Sequence, residues 1–146
     1  MLNPWGRVAD ECWRAVPDHF PYVELRAHVV MPNHVHGILS IQEIESPVGA
    51  KYFNHRGTIY RAPMENAEQF GKPVVGSIPT IIRTFKAAVT RRLGCEFGVS
   101  HIWQRNYYEY IIRDEKDLSR IYDYIESNPL TWPDDNENPK NQPLPE

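Results

Sequence analysis

Cysteine is nearly absent from this 146-residue chain: Cys12 and Cys95 are the only two, far apart and in no metal-type spacing. That excludes a disulfide framework and a cysteine-rich zinc site, and it fits a reducing, cytoplasmic setting. Long apolar runs are lacking too; none approaches the ~20 residues that a membrane span needs. The opening "MLNPWGRVADECW" has no basic-then-apolar layout of a secretion signal. The helical zinc-hydrolase pattern HExxH does not occur, and no repeat of solenoid period is found.

Positive charge is also in short supply, since the formal net charge is -3. It is unevenly placed, however. After Trp132 the segment "PDDNENPKNQPLPE" sets Asp134, Asp135, Glu137 and Glu146 against Lys140, which accounts for the whole net charge of -3 and leaves the body balanced. Within the body, Arg83, Lys86, Arg91, Arg92, Arg105 and Arg113 fall close together, opposed there by Glu96 and Glu109. A nucleic-acid partner is therefore not excluded. The hydrophobic content of 41% suffices for one core, so we expect one domain over residues 1–132 and a disordered acidic tail over 133–146.

What is present organises as alternating helices and strands. Val8, Cys12, Ala15 and Val16 form a helical stripe that ends near Pro17. "YVELRAHVVM" reads as a strand over 22–30, Pro32-Asn33 as a turn, and 34–41 as a second strand completing a hairpin. Residues 42–76 are punctuated by Gly, Pro and Asn around "IYRAP"; a loop so long is functional or unstructured. "SIPTIIRTFKAAVTRRLG" is a helix capped by Ser77 and ending at Gly94, with Ile81, Ile82, Phe85, Ala88 and Val89 on one face. "YYEYII", 107–112, reads as a third strand. The last helix starts from Asp114 and runs to Pro129, with Leu118, Ile121, Tyr122 and Ile125 as its core stripe. The order is helix, strand, strand, helix, strand, helix. That is an α+β, ferredoxin-like arrangement, an antiparallel sheet packed with helices, lacking the strand that normally opens it.

Two residues stand out in "VVMPNHVHGILSI". His34 and His36 are two apart on a strand and so project from the same face. Imidazoles so placed can take two positions on one divalent metal; an ordinary pair of surface histidines is an equally good account of the spacing alone. On the last helix Tyr124 lies off the core stripe, one turn before Asn128. A tyrosine and an amide at that spacing can address one point, although any single tyrosine is by default a partly exposed aromatic.

"VVMPNHVHGI", "HIWQRNYYEYIIRDEKDL" and "YDYIESNP" together resemble the REP-associated tyrosine transposases, single-domain members of the HUH class (His, hydrophobic residue, His) that cut and rejoin single-stranded DNA. The resemblance runs from Asn3 to about Trp132. It implies that His34 and His36 are metal ligands with Val35 between them, that Asn128 is the third ligand, and that Tyr124 is the nucleophile. It implies Mg²⁺ or Mn²⁺ as cofactor, single-stranded or hairpin DNA as partner, and a homodimer. A phenol ionises near pH ~10, so its attack on a phosphodiester is aided by a metal on the phosphate oxygens. Arg83, Lys86, Arg91 and Arg92 would contact phosphates, or form a solvated helix face. Trp103, Gln104 and Arg105 would meet unpaired bases, or Trp103 would lie in the core. "YFNHRGTIYRAP" would help with hairpin recognition.

Relatives in that class begin with a segment carrying a central strand, and this chain starts at "MLNPWG". A misplaced start, a decayed remnant or a sheet completed by another chain would each account for that. Three functions follow: a transposase using Tyr124 and a metal, a non-catalytic binder of single-stranded or hairpin DNA, and a phosphodiesterase that uses water. The full set of site residues favours the first; the lacking strand favours the second.

Overall fold

In a computed structural model, residues 2–42, 76–135, 138, 140 and 141 are described. The first helix, α1 (Pro4–Arg14), begins where Asn3 accepts a 2.7 Å bond from the Gly6 N–H and Pro4 supplies a pre-set φ. A single turn, α2 (Val16–His19), follows and leads into strand β1 (Val23–Val30). The chain reverses at Pro32-Asn33, where the Met31 N–H donates to the His34 carbonyl at 2.8 Å, and returns as β2 (Val35–Ile41). Helix α3 (Ile78–Phe97) starts from the Ser77 cap, and α4 (Glu115–Thr131) starts from Asp114, whose carboxylate accepts the Asp117 N–H at 2.8 Å. A 3₁₀ turn, Trp132–Asp134, closes α4.

β1 and β2 pair antiparallel, with Val23 opposite Ile41, Leu25 opposite Leu39, His28 opposite Gly37 and Val29 opposite His36. Between Leu25 and His28 the first strand carries one extra residue, a bulge. Side chains alternate along a strand, so the bulge keeps Leu25, His28 and Val30 all on one face. That face meets α1 and α3. Val8, Ala9, Cys12 and Trp13 of α1 pack with Ile81, Phe85, Val89 and Leu93 of α3, and Leu25, Val30, Leu39 and Ile41 lean against them. Trp13 meets Phe85 edge to face at 5.2 Å between centroids. It also lies flat on the strand at Gly37, where a Cβ would come within 2.2 Å of the indole; only glycine leaves room. The opposite face meets α4, with Met31, Ile38 and Ile125 buried there.

The α+β architecture, an antiparallel sheet packed with helices, is the one expected, and it corresponds to a fragment of a ferredoxin-like fold. Several expected boundaries move. Helix α3 passes Gly94 and stops at Gly98, whose φ of 68° is the left-handed cap that glycine adopts easily. Helix α4 continues through Pro129 to Thr131; so near the end, the missing N–H costs one bond, and the Thr131 hydroxyl donates to the Asn128 carbonyl at 3.2 Å. Its expected core stripe is thinner than periodicity suggested: Ile125 is buried, whereas Leu118, Ile121 and Tyr122 are half-buried.

The expected third strand, 107–112, does not form. The sheet has two strands among the described residues, and Tyr108 is 89% exposed. Strand propensity expresses fit to a neighbouring strand, and this segment has none beside it among the described residues. The residues just before it are held by Lys86, whose ammonium donates to the carbonyls of Gln104 (3.3 Å) and Asn106 (2.7 Å). The long segment that includes "YFNHRGTIYRAP" lies outside the described residues.

Candidate metal and tyrosine site

The face of the hairpin toward α4 brings His34, His36 and Tyr124 together, and Asn128 lies one helical turn beyond Tyr124 on α4. His34 ends the turn and His36 follows in β2; their ring centroids are 4.6 Å apart. Tyr124 crosses from α4 so that its ring centroid is 5.2 Å from that of His36 and its Oη is 3.4 Å from His36 Nε2. At that length the contact is weak. Tyr124 is 51% exposed, so solvent and a bulky substrate can reach its hydroxyl. Asn128, one turn on, is 1% exposed, and its Oδ1 is buried with no hydrogen-bond partner. One further turn brings Trp132 to within 5.9 Å of His34, centroid to centroid.

Burial holds the His36 imidazole below its usual pKa, the neighbouring His34 adds to the lowering, and Asp135 partly offsets it. His36 is thus kept neutral, the form that donates a lone pair to a metal. His34 Nδ1 lies 2.6 Å from Asn33 Oδ1. In the tautomer where Nδ1–H donates to that amide, Nε2 carries the lone pair, which is how an outer partner prepares a ligand imidazole.

The donor set fits a divalent ion. A buried amide oxygen without a partner costs about 1–3 kcal/mol, and a cation is a partner that Asn128 Oδ1 can take. No three His, Cys, Asp or Glu side chains gather into a metal cluster among the described residues. A neutral nitrogen-rich set suits Mn²⁺ better than Mg²⁺.

The other residues singled out in the sequence lie elsewhere. Arg83, Lys86, Arg91 and Arg92 are on α3, across the hairpin from Tyr124. Arg92 pairs with Glu11 at 2.8 Å and Glu96 at 3.1 Å, which pushes its pKa further up. Lys86 is engaged with the two carbonyls and lies over the Trp103 ring at 5.6 Å. Trp103 is half-buried, donates its indole N–H to the Lys86 carbonyl at 3.1 Å and packs on Phe85. Arg83, Arg91, Gln104 and Arg105 are exposed. Sequence reading gave Asn33 only a turn role and Trp132 none. The spacing 124, 128, 132, three consecutive turns on one helix flank, was the available signal for the latter.

The hairpin, with two imidazoles whose rings meet, and the helix that carries Tyr124 and the buried Asn128 belong to an α+β protein. The chain belongs to the same family as an uncharacterized protein of Haemophilus influenzae, with 39% identity over 135 residues, 92% of this chain and 70% of that protein. It is more distantly similar, at 26% identity over 113 residues, to a protein of the same organism named "Putative REP-associated tyrosine transposase". That match takes in 77% of this chain and 52% of the relative, so the chain spans about half the length of the second protein. No protein-family model and no solved structure matches. No helix among the described residues is long and apolar enough to cross a membrane.

Proposed function

We propose that this chain is a metal-dependent enzyme of DNA transposition that cuts and rejoins single-stranded or hairpin DNA through Tyr124. The observation that carries the reading is the approach of Tyr124 Oη to within 3.4 Å of His36 Nε2, between residues 88 positions apart in sequence. Similarity to the transposase relative supports the same class. His34, His36 and Asn128 would hold Mg²⁺ or Mn²⁺, which would supply positive charge to the scissile phosphate.

Tyr124 does the covalent work. Its Oη forms a bond to phosphorus while the bond from phosphorus to the 3′ oxygen breaks, giving a 5′-phosphotyrosine and, after protonation by water, a free 3′-hydroxyl. The phenolic proton leaves to solvent, to which the half-exposed side chain is open. A 3′-hydroxyl from another strand reverses the step, and one phosphodiester is exchanged for another without an energy source. Burial of Asn128 and the edge-to-face contact of Tyr124 with His36 restrict where the two groups can go, which favours attack by pre-orientation. A homodimer is the acting species in this reading.

A denaturing gel with labelled hairpin DNA and Mn²⁺ tests it. We expect a covalent protein–DNA band from the wild type that is lost in Tyr124→Phe. Cleavage that persists in Tyr124→Phe would transfer the role to Tyr122 or to water. Folded protein that binds the DNA without cutting it would make the chain a binding module.

A further inference from the structure

We propose that the segment following α4 is a clasp that positions His34 through Trp132, an inference that rests on the metal site proposed above. The acidic composition beyond Trp132 suggests a solvated tail, yet its described residues are tied together by hydrogen bonds. Asn138, 7% exposed, donates its Nδ2–H to the Trp132 carbonyl at 3.0 Å. The Asp135 N–H donates to the same carbonyl at 3.2 Å, and the Asn138 N–H donates to the Asp135 carbonyl at 3.1 Å. Asn141 Nδ2 donates to the carbonyls of Pro133 (2.7 Å) and Asp135 (2.9 Å). These amides fix the 3₁₀ turn, and the turn holds the Trp132 indole against the His34 ring, tilted by 58°.

His34 needs such a wall. It stands just before β2, outside the ladder. Asn33 Oδ1 meets its Nδ1 on one side; Trp132 limits the ring from another. Residues that hold a ligand imidazole in place are typically worth ~10–100-fold in metal affinity. Trp132 is in this sense a positioning residue, acting on the metal through His34.

The full chain tests this in two arms. In metal-free protein, NMR relaxation of the His34 ring carbons reads its mobility without any assumption about metal. We expect a rigid ring in the wild type and in Trp132→Phe, and a mobile ring in Trp132→Ala and Asn138→Ala, with the β1–β2 amide shifts unchanged in all four. In the second arm, Mn²⁺ titration followed by electron paramagnetic resonance should show roughly tenfold weaker binding in Trp132→Ala, recovery in Trp132→Phe, and the greatest loss in His34→Ala. A His34 ring that stays rigid in Trp132→Ala overturns the clasp. A ring that loosens as expected while the wild type binds no Mn²⁺ upholds the clasp and overturns the metal reading instead.

Discussion

The two faces of the β1–β2 hairpin are built on opposite terms. Toward α1 and α3 the contacts are apolar and close: Trp13 is 4% exposed, and a glycine is needed at residue 37 to admit it. Toward α4 the hairpin presents the His36 imidazole to a phenol over a long contact, and the amide oxygen of Asn128 on α4 is buried without a partner. The first face has the complementarity expected of a core; the second forgoes such complementarity in the places where a ligand would restore it. A single strand thus carries close apolar packing on one side and a looser, polar face on the other, divided by nothing more than side-chain alternation.

That contrast can be broken most severely from the packed side. Trp13→Ala should cost about 3–5 kcal/mol by removing a buried aromatic, read as a lowered urea midpoint. Gly37→Ala should cost about 1–3 kcal/mol through overpacking against the indole; with Trp13→Ala added, the loss in the double variant should be smaller than the sum of the two single losses, a coupling that a double-mutant cycle measures.

Asp10 sharpens the same side with pH. Its carboxylate accepts from Arg14 Nε at 2.8 Å and lies 2.6 Å from His28 Nε2, joining α1 to β1. The Arg14 hydrogen bond chiefly, with His28 helping, holds the Asp10 pKa below its ordinary 3.8 against the effect of burial. A depressed carboxylate pKa adds stability that is present above the unfolded value and vanishes as pH falls through the folded one. Asp10→Asn should therefore cost about 1–2 kcal/mol at neutral pH, with the gap from wild type closing in urea melts below pH 3.8.

The smallest effect has the opposite sign. Asn128→Leu replaces an unpartnered buried amide by an apolar group, so thermal stability should be unchanged or raised by about 1 kcal/mol, while Mn²⁺ binding is lost. A clear loss of stability would mean that the amide has a structural role on this face too.

Much of this was legible in the sequence and some was not. The placing of His36 on a strand and of Tyr124 with Asn128 on a helix was readable because alternation and helical spacing are local, whereas His34 stands one residue before the strand. The approach of Tyr124 to His36 needed the resemblance to a family, since no local pattern relates residues 36 and 124. The run "YYEYII" misled for the complementary reason: its composition is that of a strand, but a ladder is a property of two segments. Gly94 and Pro129 looked like helix ends and were not, because glycine is tolerated in a helix that is buried along one side, and proline near a last turn removes little. Trp132 was passed over because the acidic composition beyond it drew attention to charge rather than to the amides that fasten it.

The extra residue in β1 has a consequence for how the hairpin can change. It shifts the rhythm of inward and outward by one step, so the strand is two short strands of opposite phase joined end to end. Deleting Arg26 or Ala27 would merge them into one phase with Leu25, His28 and Val30 still on the core face and opposite the same partners. A residue lost or gained elsewhere in β1, with the bulge kept, would instead turn over the part of the strand beyond the change. The bulge is therefore the point of this strand where a shorter length leaves both faces as they are.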